Sequence, residues 1–234
     1  MITLPKVWAQ HTVFRWGCRF ATAERVPLNL IRIMPAKESD ANGKPPRGKN
    51  REVLFLQKNI RTLTCAATCA ALSIALNQVV VFRMPQGGSI SACGMFFIAL
   101  AGYWFGPVVG ILTGLVSGTI DLLLGGYVVH PAQLLLDYPL AFAMLGLAGF
   151  FRKMKFGLQI GYLTGAAGRF IMHTLSGLIF FSAYAPAGQH PLLYSSIYNI
   201  SYIGPEALFT LIIISVPAFS KAIGLVGKRI SNEA

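Results

Sequence analysis

A chain of 234 residues can bury a sizeable core, but 54% of these residues are hydrophobic, only 12% are charged and the mean hydropathy is +0.59. Soluble domains carry about 25% charged residues, so water is not the main solvent of this chain. The net charge of +12 does not point to nucleic acid, because twelve of the twenty Lys and Arg lie at or before Arg61 and the rest sit mainly between or after apolar runs. That is the pattern of positive cytoplasmic loops.

Residues 1–57 mix Lys and Arg with Pro, Gly and Asn and hold no apolar run long enough to span a bilayer. They are expected to form a disordered or interfacial arm, with basic residues drawn to anionic lipid at about 1 kcal/mol each, or an extension upstream of a start at Met34. No secretory signal is visible near Met1, so the first hydrophobic helix must direct insertion. A spanning helix needs about 20 mostly apolar residues, and LTCAATCAALSIALNQVVVF (63–82) supplies the first. The uncharged stretch from Met84 to Ile120 holds two more, divided at Phe105-Gly106-Pro107, since a proline disfavours a helical residue before it. A fourth runs from about 132 to 151 and is closed by the basic RKMK cluster, a fifth covers 158–182 and a sixth 198–220. The expected architecture is therefore an all-α membrane protein. It is a bundle of six transmembrane helices over 58–222, with a cytoplasmic tail from 223 to 234.

Three basic segments fall on one side of this bundle: the arm, the loop with Arg152, Lys153 and Lys155, and the tail with Lys221, Lys228 and Arg229. The positive-inside rule then puts both termini in the cytoplasm and three loops outside, at 83–89, 125–133 and 183–194. Gly102, Gly106, Gly110, Gly114 and Gly118 recur every four residues, as do Ala67, Ala71 and Ala75. Such stripes allow close backbone approach, either within the bundle or as a flat seat for a partner protein, with the alanines the better candidate for the seat.

The remaining polar residues collect near the outer end. Gln133 and Asp137 are four apart and share a helix face, with Tyr138 next. Arg169 and His173 share another, Arg169 requiring a counter-charge near mid-membrane, while Asp121 can reach the outer headgroups. Phe180, Phe181, Tyr184, Tyr194, Tyr198 and Asn199 follow. Aromatic residues of this kind also form ordinary interfacial belts, but a belt needs neither Asp137 nor His173. Intramembrane ionisable residues usually face a cavity or a partner. One carboxylate among aromatic rings and amide or imidazole groups suits an aromatic organic cation. The four cysteines (Cys18, Cys65, Cys69, Cys93) make no CxxC pair, so neither a metal site nor a disulfide is inferred. No HExxH, GxSxG or GxxxxGK[ST] motif occurs. A small intramembrane enzyme is therefore a distant alternative, and energy for uphill transport would come from another chain or an ion gradient.

The segments DLLLGGYVVHPAQLLLDYPLAFAMLGLAGFFRK (121–153), GRFIMHTLSGLIFFSAYA (168–185) and YSSIYN (194–199) resemble the thiamine-specific S component of energy-coupling factor (ECF) transporters of the bacterial cell membrane, over roughly residues 60–222. The resemblance implies a subunit, without cofactor or catalytic activity of its own, that captures thiamine near the outer face. It would dock on a module of one transmembrane protein and two ATPases that use ATP. An S component for another vitamin or a thiamine precursor is the nearest alternative. By position it implies that Asp137 lies by the thiazolium, with Tyr138 following it, and that His173, Tyr127, Tyr194 and Asn199 belong to the pocket. Arg169 falls where a relative has Lys, and Phe181 where a relative carries Trp, which changes the stacking. The stripe of Ala67, Ala71 and Ala75 resembles the docking surface of such subunits.

Overall fold

The computed structural model describes residues 47–85 and 88–232, with side chains over 59–85 and 88–230. These residues are mostly helical. Helix α1 (Arg47–Asn77) starts well before its apolar stretch, so the end of the arm expected to be disordered is helical; the rest of that arm, 1–46, lies outside the described residues. The helix also stops short of residue 82. The β-branched run after Gln78 forms strand β1 (Val80–Arg83), which pairs antiparallel with β2 (Ser89–Ser91). Val and Phe favour a pleated surface over a helix end, and the Met84 N–H closes the hairpin on the Gly88 carbonyl at 2.6 Å.

Helix α2 (Gly94–Phe105) and helix α3 (Pro107–Leu123) are divided where the sequence predicts. Gly106 makes the break with φ 103°, a left-handed conformation that favours glycine, and Pro107 opens α3 at a position where its missing N–H is not needed. Helix α4 (Pro131–Phe151) changes pitch along its length. It is α-helical over Pro131–Leu135, π-helical over Leu136–Leu140, α-helical over Ala141–Leu145 and 3₁₀ over Gly146–Phe151. Pro139 cannot donate to the helix ladder and its ring crowds the preceding turn, and the wider π turn accommodates it.

Helix α5 (Gly157–Phe180) matches its prediction. Helix α6 (Pro191–Ser215) begins earlier than residue 198, because His190 Nδ1 caps it by accepting the Leu192 N–H at 3.2 Å and Pro191 starts the first turn. It ends at the extended Val216 before Pro217. Helix α7 (Pro217–Asn232) follows, so the segment expected as a tail is helical over 223–232, and Phe219, expected in the sixth span, packs from α7 against Phe96 of α2.

Helix α2 lies at the centre. Met95, Ile98 and Ala99 pack with Phe142 and Leu145 of α4 and Tyr162 of α5, all with at most 1% exposure. Glycines let these backbones meet. A methyl group at Gly110 would sit 2.5 Å from Gly102 Cα and 2.8 Å from Gly146 Cα, and one at Gly118 would sit 2.5 Å from the Tyr138 carbonyl oxygen. The glycine stripe thus serves packing within the bundle. On α1 the two faces differ: Ala66, Cys69, Ala70 and Ser73 are buried, whereas Ala67, Ala71 and Ala75 are exposed.

Among the described residues, three helical stretches are long and apolar enough to cross a membrane: Asn59–Asn77, Pro131–Phe151 and Pro191–Ser215. Helices α2 and α3 are apolar but only 12 and 17 residues long. The hairpin takes up the end of the stretch, 63–82, that apolar length predicts as the first span.

Candidate ligand-binding site

At the hairpin end of the bundle, β1, β2, the α3–α4 loop and helices α4 to α6 enclose a cavity of about 520 Å³, within the usual size of a small-molecule site. The nine side chains expected in the pocket line it: Tyr127, Gln133, Asp137, Tyr138, Arg169, His173, Phe181, Tyr194 and Asn199; of the other aromatic residues named above, Tyr198 lines it and Phe180 and Tyr184 do not.

Asp137 and Tyr138 project from the π turn of α4. Asp137 Oδ2 accepts from Gln133 Nε2 at 2.7 Å, and its Oδ1 lies 3.1 Å from His173 Nδ1. Arg169 Nε donates to His173 Nε2 at 3.3 Å. That bond makes Nε2 the acceptor, so Nδ1 carries the hydrogen and donates it to Asp137. The four residues thus form one chain of donors running from Arg169 through His173 to a carboxylate that Gln133 holds from the other side. The Arg169 guanidinium also lies 4.3 Å from the centre of the Phe142 ring. Its direct carboxylate partner, expected from the sequence, is not found among the described residues, and contact with Asp137 runs through His173 instead.

Gln133 does more than its spacing suggests. It is 1% exposed, and its amide also donates to the Tyr127 carbonyl and accepts the Val129 N–H, each at 3.1 Å. One side chain therefore pins the α3–α4 loop and aims Asp137. Tyr138 works with it, its hydroxyl accepting the Tyr127 N–H at 2.6 Å. The loop Tyr127 hydrogen-bonds Tyr184, which raises its phenol above the ordinary range, and it stacks on Phe181 at 6.1 Å.

Helix α6 supplies the opposite wall. Tyr194, Tyr198 and Tyr202 recur every four residues and so share a face. Tyr194 and Tyr198 stack at 6.4 Å, and Tyr202 meets His173 edge-on at 6.1 Å. Asn199 lies one position behind. It donates to the Ser195 carbonyl at 2.8 Å and accepts from the Tyr202 hydroxyl at 2.7 Å, so it holds the tyrosine face in place.

The sequence reading missed part of this wall. Asp121 lines the cavity and accepts from Gln78 Nε2 at 3.3 Å; it does not simply face headgroups. A carboxylate ending an otherwise uncharged stretch was the available signal. Arg83, Met84 and Ser89 of the hairpin and Tyr202 also line the site, and only the fold brings them there. The result is an aromatic cavity with carboxylates at Asp121 and Asp137, suited to a small cationic ligand with an aromatic ring.

A helical bundle with such a cavity at one end is the architecture of a ligand-binding membrane protein. The chain belongs to the thiamine transporter protein family (Thia_YuaJ), whose model matches residues 63–223. It is 34% identical over 161 residues to the thiamine transporter ThiT of Bacillus subtilis, covering 63% of this chain and 83% of that one. It is 31% identical over 177 residues to ThiT of Lacticaseibacillus paracasei, covering 67% and 84%. The solved structure of ThiT from Listeria monocytogenes superposes with a TM-score of 0.59 at 26% identity, over 68% of this chain and 93% of that one. The family is the one that the residues from 121 to 199 resemble, and these relatives are transporters by name.

Proposed function

We propose that this chain is the thiamine-binding subunit of an ATP-dependent vitamin importer of the ECF type, which binds its substrate without transforming it. Asp137 carries the reading. Both of its oxygens are held, by Gln133 and by His173, and it remains 14% exposed at the cavity among tyrosine rings. Thiamine is a permanent cation with two aromatic rings, so an oriented carboxylate balances its charge and ring faces stack on it or attract it. Tyr127, Phe181 and Tyr194 are the proposed stacking residues. Gln133, Tyr138, Asn199, His173 and Arg169 hold them and the carboxylate in place.

Helices α1 to α6 are the six spans of this proposal. The shorter α2 is largely buried among its neighbours, α3 keeps Val108, Leu112 and Val116 on an exposed apolar face, and the basic ends at Lys153 and Lys228 lie in the cytoplasm with both termini, by the positive-inside rule. The cavity then opens to the outside of the bacterial cell membrane. Ala67, Ala71 and Ala75, exposed on α1, are the proposed seat for the transmembrane protein of a module whose two ATPases supply the energy.

Binding of radiolabelled thiamine to the purified full chain tests the reading. Tight retention, displaced by unlabelled thiamine, is expected. Displacement by a different vitamin or a precursor alone would point to another S component, and a released product would point to an enzyme.

A further inference from the structure

Glu206 of α6 is 4% exposed and lies outside the cavity lining, so no ligand chemistry described above uses it. Its partners explain why a carboxylate is buried there. Helix α2 has no cap of its own: Cys93 is left-handed at φ 62° and gives no side-chain bond, while Gly94, Met95 and Phe96 behind it are buried. The first N–H groups of a helix lack intrahelical partners, and burying them unpaired is costly. Glu206 brings the acceptor from a different helix. It accepts the Ser91 N–H at 3.1 Å and the Ser91 hydroxyl at 2.9 Å, and the Met95 backbone lies close enough to interact with it.

The Ser91 hydroxyl has one hydrogen, and the carboxylate takes it. Asn77, 3.2 Å from the same oxygen, must therefore donate to Ser91 with its NH₂ turned inward. One carboxylate thus joins the end of α1, strand β2 and the start of α2 to α6. Four and eight residues earlier on α6, Tyr202 and Tyr198 hold the other side of the strand pair. The Tyr198 hydroxyl accepts the Gly88 N–H at 3.3 Å, and a methyl group at Gly88 would lie 2.7 Å from the Tyr202 ring.

We propose that Glu206 is a positioning residue for ligand binding. By holding Ser91 and the start of α2, it fixes the strand pair whose Val80, Arg83, Met84 and Ser89 form one wall of the cavity. This rests on the cavity being the thiamine site. The test compares the purified full chain with Glu206→Ala, Glu206→Gln and Ser91→Ala by hydrogen exchange without ligand, then by thiamine affinity and dissociation rate. Amides of β1, β2 and the first turn of α2 should exchange about tenfold faster in Glu206→Ala, with α4 and α5 unchanged. Thiamine should dissociate about tenfold faster. Glu206→Gln, which keeps one acceptor oxygen, should fall between. Unchanged exchange at the strand pair, or equal acceleration through every helix, would overturn the proposal. If Glu206→Ala does not fold, Glu206→Gln and Ser91→Ala carry the same comparison. Failure of the unaltered chain to bind thiamine would sink the thiamine reading and leave the exchange pattern as the test of Glu206.

Discussion

At Asp137 two neighbours fix the carboxylate before any ligand arrives. Asn at this position would turn an NH₂ toward the His173 Nδ1–H or toward the Gln133 amide, so it removes the charge and also breaks one of the two bonds that aim the group. Loss of one partner from a desolvated charged pair costs about 2–5 kcal/mol. Asp137→Asn should therefore weaken thiamine binding by tens- to thousands-fold, measured by titration of the purified chain. Asp121 lines the same cavity, bonded to Gln78, and adds a longer-range attraction for a cation. Asp121→Asn should weaken binding by about threefold to tenfold. Equal losses in the two variants would contradict the central role of Asp137.

Among the elements, the glycine crossings and the α1 alanines make opposite predictions from similar sequence stripes. Gly110 faces the backbones of α2 and α4 at distances no Cβ tolerates. Gly110→Ala must push helices apart, and overpacking of this kind costs about 1–3 kcal/mol. The melting temperature in detergent should fall. Gly224 of α7 has nothing within 4 Å of the added methyl, so Gly224→Ala should leave that temperature unchanged or raise it, since Ala is the better helix former. A drop in both would place the α7 glycine in a contact absent from this fold. On α1 the exposed stripe tolerates bulk until a partner arrives. Ala71→Trp should leave thiamine affinity intact in the purified chain and abolish uptake in cells that also express the shared module, because it blocks close helix approach. Lost binding in a folded Ala71→Trp protein would make the stripe internal packing; normal uptake would put the docking surface elsewhere.

For the whole molecule, the chain carries no GxxxxGK[ST] loop to hold a nucleotide. Asp121, Asp137, Arg169 and His173 are drawn together around one cavity at the hairpin end, and Glu206 lies outside its lining. Cells that hold this chain without partner ATPases should bind radiolabelled thiamine but fail to concentrate it. Accumulation in such cells would favour a stand-alone carrier driven by an ion gradient.

The membrane class, the break at Phe105-Gly106-Pro107, the extent of α5 and the grouping of Gln133 with Asp137 and of Arg169 with His173 were legible in the amino-acid sequence, whereas Tyr127 was placed in the pocket through the family resemblance. Those signals are local: apolar length, a proline's effect on the residue before it, four-residue spacing, and polar groups that have no reason to sit in lipid. It took the folded chain to show that Val80–Arg83 is a strand, that Asp121 joins the site, that Arg169 reaches Asp137 through His173, and that Glu206 holds Ser91 beside the start of α2. The strand needs a partner 6 to 11 residues on, and the others depend on groups far apart in the chain, Glu206 and Ser91 being 115 residues apart. Periodicity reports which face of a helix is apolar, but it does not report which other helix that face will meet.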